Sequence, residues 1–119
     1  MANNIDIVFI PADKVSAVYP MIIREVQKVL AKARNGYDEK ELMKELLSGY
    51  FQLWLIWDKD KKEHYGFVIT ELVERPLSKF CSVIIMTGKN RQLWQYKVVQ
   101  TLEDYAIKND CDRGLALAR

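Results

Sequence analysis

Residues 51–86 read FQLWLIWDKDKKEHYGFVITELVERPLSKFCSVIIM, and this stretch decides the fold. It contains three aromatic and aliphatic runs, 51–57, 65–73 and 80–86, each with the length of a strand, and the second run also alternates. The charged segment 58–62 and the segment 75–78 separate the runs as turns, so the first two runs predict a hairpin. The third run is apolar at nearly every position, which predicts a strand in the middle of the sheet.

Upstream of this stretch, the pattern predicts one strand followed by two helices. Residues 5–10 are typical of a strand, and the apolar residues of 14–33 recur every three or four positions, as on one face of a helix. Pro20 lies inside that helix and should kink or restart it. Asp38 and Glu41 have the spacing of a capping box for a second, shorter helix, which Gly49 should close.

Downstream, the pattern predicts a loop, a helix and a last strand. Residues 87–90 are loop-like, and a long amphipathic helix should follow, with these residues on its apolar face: Leu93, Tyr96, Val99, Leu102, Tyr105 and Ala106. Residues 115–118 read as a short strand, parallel to the strand before the helix. The sequence therefore predicts a mixed α/β sheet with the order β-α-α-β-β-β-α-β, in one domain covering residues 1–119.

The composition narrows the function classes. The chain has 119 residues, 50% hydrophobic and 29% charged, which suits one globular domain. Its 18 basic residues nearly balance 16 acidic ones, so no nucleic-acid partner is expected. No apolar run is long enough for a signal peptide or a membrane span, so we expect a cytoplasmic protein with no membrane partner. Two cysteines, Cys81 and Cys111, and one histidine, His64, are too few for a zinc site, and we expect no metal and reduced thiols.

The element order resembles that of the GNAT (Gcn5-related N-acetyltransferase) superfamily from its first strand to its fifth. Residues 51–57 and 66–71 look like the second and third strands of that fold. Residues 85–90, Trp94, 102–106 and 111–113 look more specifically like the GNAT-like proteins of tailed bacteriophages. A complete GNAT domain continues with another helix and two strands, so the resemblance implies a domain truncated after the fifth strand. It also implies an acyl-CoA-dependent N-acetyltransferase with acetyl-CoA as cofactor, located in a host cytoplasm or a virion.

In that family the loop between the fourth strand and the third helix binds the pyrophosphate of acetyl-CoA. Backbone N–H groups and the positive end of the helix dipole attract the phosphates there. The resemblance places the cofactor-binding role on six residues: Met86, Thr87, Gly88, Lys89, Asn90 and Arg91. The family's loop has a second Gly or Ala two positions after the first, whereas this loop has one glycine. Lys89 and Arg91 could supply charge instead; the alternative is a solvated helix start with two surface cations.

The resemblance also suggests catalytic residues. Acetyl transfer needs a base that deprotonates the attacking amine, and Glu71 and Glu74 lie near the end of the third strand, close to the family's active cleft. The alternative is that both are ordinary solvent-facing acids. The tyrosine that often protonates the thiolate in the family has no equivalent helix here, and packing explains Tyr96 and Tyr105. His64 has no evident nucleophile or orienting partner and is expected at the surface.

A second function is open beside the enzyme. A phosphate loop with a single glycine and the missing C-terminal elements would also suit a non-catalytic, GNAT-derived structural or interaction component of a phage particle. On either hypothesis, strand 115–118 is expected at an open sheet edge, where it could pair with a protein partner or a second copy of the chain.

Overall fold

The described part of the molecule comprises residues 4–32 and 38–112 and the backbone of 115–117 in a computed structural model. The strands are β1 (Ile5–Ile10), β2 (Phe51–Asp58), β3 (Glu63–Arg75), β4 (Ser78–Gly88) and β5 (Leu115–Leu117). The helices are α1 (Val15–Lys32), α2 (Glu39–Ser48) and α3 (Gln95–Lys108), with 3₁₀ turns at Ala12–Lys14 and Arg91–Leu93. This order confirms the predicted fold.

The five strands form one sheet in the spatial order β1-β2-β3-β4-β5. Neighbouring strands are antiparallel except β4 and β5, which run parallel and pair over Cys81–Val83 with Leu115–Leu117. The parallel last pair is therefore as predicted. The third apolar run, β4, lies next to the edge strand β5 rather than in the middle of the sheet, which β3 occupies. In the described part of the chain β1 and β5 form the two sheet edges; residue 118, predicted to belong to the last strand, lies outside it.

Helices cover both faces of the sheet, and strand alternation divides the apolar residues between two cores. One core packs under α1 and α2 and includes the following sheet residues: Phe51, Leu53, Leu55, Phe67, Ile69 and Ile85. The other packs under α3 and includes the sheet residues Trp54, Ile56, Val68 and Val83, together with Trp94 just before α3 and Val98 and Leu102 on it. Adjacent residues of β3 thus serve opposite cores, as the alternation predicts.

The ends of α2 follow from its sequence. The Asp38 carboxylate accepts a hydrogen bond from the Glu41 backbone N–H at 2.8 Å, so the predicted cap is present. Gly49 ends the helix with φ of +83°, a conformation that glycine adopts without strain. α1 continues through Pro20 as one helix of 18 residues rather than restarting there. Among the described residues, no helix combines the length and apolar character needed to cross a bilayer.

The buried face of α3 differs from the predicted one. Tyr96 is 90% exposed, whereas Trp94, Val98, Leu102 and Ala106 are buried. The 3₁₀ turn at Arg91–Leu93 ends at Trp94, so the buried positions repeat every four residues from Trp94 rather than from Leu93. The expected packing role of Tyr96 was therefore wrong, while Tyr105 is half-buried and packs edge-on against the Trp54 ring.

Candidate functional site

The end of β4 and the loop after it place the six predicted cofactor residues side by side. β4 continues through Thr87 to Gly88, so the first part of the predicted loop is strand. A Cβ atom at Gly88 would lie 2.6 Å from the Tyr65 carbonyl oxygen, and only glycine permits this close approach of β3 and β4. Asn90 then reverses the chain in a left-handed conformation (φ +55°, ψ +43°) before the 3₁₀ turn.

Internal hydrogen bonds hold this loop in place. The Lys89 backbone N–H donates to the Tyr65 carbonyl (2.9 Å), and the Trp94 indole N–H donates to the Lys89 carbonyl (2.8 Å). The Arg91 guanidinium donates to the Met86 carbonyl (3.1 Å) and lies over the Trp94 ring. Several groups that could have bound a phosphate are therefore already engaged within the loop.

The Tyr65 side chain anchors the loop from the other side. Its hydroxyl donates to an Asp58 carboxylate oxygen at 2.7 Å, and both residues are buried. This bond, with the backbone N–H groups of Lys61 and Asp60, lowers the pKa of Asp58, while the same bond raises the pKa of Tyr65. Because the Tyr65 carbonyl holds Lys89, the Asp58–Tyr65 bond fixes the start of the candidate cofactor loop.

A groove of about 580 Å³ lies beside this loop; we call it the α1 groove. Three elements line it: α1 contributes Glu25, Lys28, Val29 and Lys32, β3 contributes residues 63–65, and β4 with its loop contributes residues 87–89. Its size is typical of small-molecule sites. The predicted residues Thr87, Gly88 and Lys89 thus form one wall, and the α1 wall is one that sequence reasoning did not assign.

The acids of the α1 groove are paired. Glu25 hydrogen-bonds the His64 ring at Nε2 (2.8 Å), and Glu63 lies 3.7 Å from the Lys89 ammonium. Because a carboxylate accepts, Nε2 donates, and Nδ1 of a neutral ring is left as an acceptor. Lys28 and Lys32 have no ion-pair partner among the described residues. With His64 neutral, the three lysines and two glutamates of the lining give the groove a net charge of +1.

Sequence reasoning left His64 at the surface without an orienting partner, and the structure corrects this. A register shift between Ile56 and Trp57 makes Tyr65 an extra residue of β3, with His64 opposite Trp57. The side chain of His64 is 20% exposed and reaches Glu25 on α1. The two residues lie 39 positions apart in the sequence, so no local pattern could have joined them.

The second feature of the site is the edge of β4 beyond its pairing with β5. The register passes from Ile69↔Ile85 to Thr70↔Val83, so Ile84 is a bulge. In the part of the chain that the structure describes, β5 pairs with β4 only over Cys81–Val83, and residues 84–88 have β3 as their single strand neighbour. Within the described residues, the backbone of β4 next to the loop is thus open on one side.

The two predicted catalytic glutamates lie further along β3. Glu71 is opposite Ser82, half-buried and close to the bulge, whereas Glu74 is exposed and opposite Lys79 near the hairpin turn. Glu71 lies roughly 17 Å along β3 from Gly66, which borders the loop. The structure therefore does not bring either glutamate into the α1 groove, and their catalytic role stays a prediction. No group of three metal-ligating side chains occurs among the described residues.

The chain matches no protein-family model and no curated protein at a significant level. It does match solved structures. A ribosomal-protein-alanine N-acetyltransferase from Brucella melitensis gives a TM-score of 0.67 at 17% identity over 97% of this chain and 79% of the other. An aminoglycoside acetyltransferase from an uncultured soil metagenomic sample, in complex with sisomicin, gives 0.69 at 11% identity over 98% and 78%.

A third structure, described as a predicted acetyltransferase with acetyl-CoA from Clostridium acetobutylicum, gives a TM-score of 0.65 at 9% identity over 97% and 80%. At these identities the likeness concerns the fold. The chain therefore has the fold of the GNAT-like acetyltransferases.

Proposed function

We propose that this chain is an N-acetyltransferase that uses acetyl-CoA as its acyl donor. The open edge of β4 carries the proposal. After Val83 the described β5 no longer pairs with β4, and residues 84–88, which have β3 as their one strand neighbour in the described part of the chain, lead directly into the loop 86–91. An extended ligand with amide groups, such as the pantetheine arm of the cofactor, can pair with such an edge through backbone hydrogen bonds.

The residues around this edge fit the cofactor. The pantetheine arm would lie along β4, and its phosphate end would reach the loop after Gly88, where Lys89 and the neighbouring α1 groove supply positive charge. The volume of about 580 Å³ is in the range of cofactor sites. When bound, the cofactor supplies the activated acetyl thioester; the chain binds and orients it. The C. acetobutylicum neighbour, described with acetyl-CoA, has the same fold.

We assign the base to Glu71. It is opposite Ser82, roughly 7 Å along the strand from the bulge at Ile84, where the open edge begins. By strand alternation it shares the α1/α2 face with Ile69. A carboxylate there can accept a proton from an incoming amine directly or through one water. Glu74 is three residues further from the bulge and serves as a matched control.

Binding is tested first, by the melting temperature with and without 1 mM acetyl-CoA. A ligand that binds the native state at one hundred times its Kd stabilises it by about 2.7 kcal/mol, which is roughly 10 °C for a domain of this size. We expect a clear rise with acetyl-CoA and none with acetate alone. An unchanged melting temperature at millimolar acetyl-CoA would make the enzyme assignment wrong and favour the non-catalytic interaction component.

Turnover is tested with Glu71→Gln against Glu74→Gln. The acyl donor is acetyl-CoA, and the acceptors tested are an alanine-terminated peptide, sisomicin and spermine. The peptide and sisomicin are chosen from the names of two structural neighbours. Loss of a general base should lower kcat by about 100-fold or more in Glu71→Gln, with acetyl-CoA binding retained. Equal rates in the two variants would remove Glu71 from the mechanism.

The resemblance to phage proteins is a separate prediction, tested by co-purification with virions.

A further inference from the structure

We propose that Lys28 and Lys32 of α1, together with Lys89, bind the phosphate groups of coenzyme A from across the α1 groove. The inference rests on the proposed function, because it names residues that would hold its cofactor. The proposed site differs from a phosphate loop built of backbone N–H groups, since the positive charge comes from a helix on the opposite wall. Because such a site does not need close backbone approach, it accounts for a loop with one glycine.

The loop itself is poorly placed to bind phosphates alone. The Lys89 N–H is taken by the Tyr65 carbonyl, and the Arg91 guanidinium is taken by the Met86 carbonyl and lies over the Trp94 ring. A residue engaged in such bonds must give them up before it binds a ligand, which reduces its net contribution. Of the two loop cations predicted from sequence, Arg91 is therefore the less available.

The α1 wall supplies what the loop lacks. Lys28 and Lys32 are one helical turn apart, so their side chains project from the same side of α1, and both line the groove that Thr87, Gly88 and Lys89 close on the other side. Three lysines and two glutamates line the groove; Glu25 hydrogen-bonds His64, and Glu63 lies beside Lys89. With His64 neutral the lining carries a net charge of +1, and neither α1 lysine forms an ion pair among the described residues, an arrangement that favours an anion.

The phosphate-bearing part of coenzyme A is the anion that fits this position. A ligand whose pantetheine arm follows the open edge of β4 reaches residues 87–89 with its pyrophosphate end. At that point α1 and the β4 end form the two sides of one groove. Lysine ammonium groups bind phosphate as point charges without the fixed geometry that a backbone loop requires.

The experiment is isothermal titration calorimetry, in which coenzyme A, or pantetheine, which lacks the phosphates, is titrated into each of three proteins. These are the wild type, Lys28→Gln/Lys32→Gln, and Lys40→Gln/Lys44→Gln as control. The control pair has the same spacing on α2 and does not line the groove. Melting temperatures without ligand confirm that all three proteins are folded; these exposed positions should alter them little.

We expect the Lys28/Lys32 variant to bind coenzyme A about 10-fold or more weakly than wild type, because two charge-assisted contacts are lost. Pantetheine affinity and the control variant should be unchanged, and the salt dependence of coenzyme A binding should become shallower. Equal coenzyme A affinity in wild type and the Lys28/Lys32 variant would overturn the phosphate role while leaving the acetyltransferase proposal intact. Equal weakening of coenzyme A and pantetheine would also overturn it. Absence of coenzyme A binding by wild type would overturn both proposals.

Discussion

Replacing Thr70 by valine should destabilise the domain strongly, because one hydroxyl serves two buried partners. Thr70 Oγ1 accepts a hydrogen bond from the Trp54 indole N–H (3.0 Å) and donates to Gln52 Oε1 (2.9 Å). Thr70 is fully buried, and Trp54 and Gln52 are more than nine-tenths buried. Thr70 also stands at the register shift where β4 bulges, so this network supports the geometry of the open edge.

The magnitude follows from the two groups that valine leaves without a partner. A buried polar group that loses its hydrogen bond costs about 1–3 kcal/mol, so two such groups cost about 2–6 kcal/mol. Valine has almost the shape of threonine, so the packing contribution is small. At roughly 4 °C per kcal/mol for a domain of this length, the melting temperature should fall by about 8–24 °C.

The assay is urea unfolding followed by tryptophan fluorescence, with Thr70→Ser as the matched control. Serine keeps the hydroxyl and loses one methyl group, which costs about 1 kcal/mol. We expect the valine variant to be the less stable of the two by more than 1 kcal/mol. If the valine variant matched or exceeded the serine variant, the hydroxyl would not be the shared partner of Trp54 and Gln52.

Three further predictions concern the site and its surroundings. Gly66→Ala should lower the melting temperature by several degrees, because its Cβ would lie 2.1 Å from the Thr87 carbonyl oxygen; an unchanged value in a thermal scan would contradict the close approach of β3 and β4. The lowered pKa of Asp58 contributes stability that is complete above about pH 3.8 and is lost as the pH falls through its folded-state pKa. Urea titrations should therefore show less acid destabilisation below pH 4 in Asp58→Asn than in wild type. Self-association through the edge strand β5 predicts a dimer in light scattering at high concentration, and a strict monomer would refute it.

The fold could be predicted because its signals are local. Each strand of the sheet is one apolar run, and the Asp38 cap and the Gly49 stop lie within a few residues of the helix that they delimit. The sequence could not decide which face of α3 is buried to within one residue, because Val98 and Val99 are chemically identical candidates for the core. Only the 3₁₀ turn that ends at Trp94 selects Val98 for the core.

The site was predictable in part, for the same reason. The loop 86–91 is contiguous in sequence, so its residues had to lie together. The α1 groove brings together residues more than 30 positions apart, such as Glu25 and His64. They meet because a bulge in β3 changes which of its neighbouring side chains face α1. A register shift leaves no mark in the alternation of residues 63–66, so neither the role of α1 nor the partner of His64 could be seen in the sequence.

The most direct measurement of the central claim is an amide NMR titration of the ¹⁵N-labelled protein with acetyl-CoA. If the cofactor pairs with the open edge of β4, the amide signals of Ile85, Met86 and Thr87 should shift in a saturable way, together with that of Lys89. The amide signals of β1, at the other edge of the sheet, should stay in place. Saturable shifts confined to β1, or no shift at millimolar acetyl-CoA, would contradict the account.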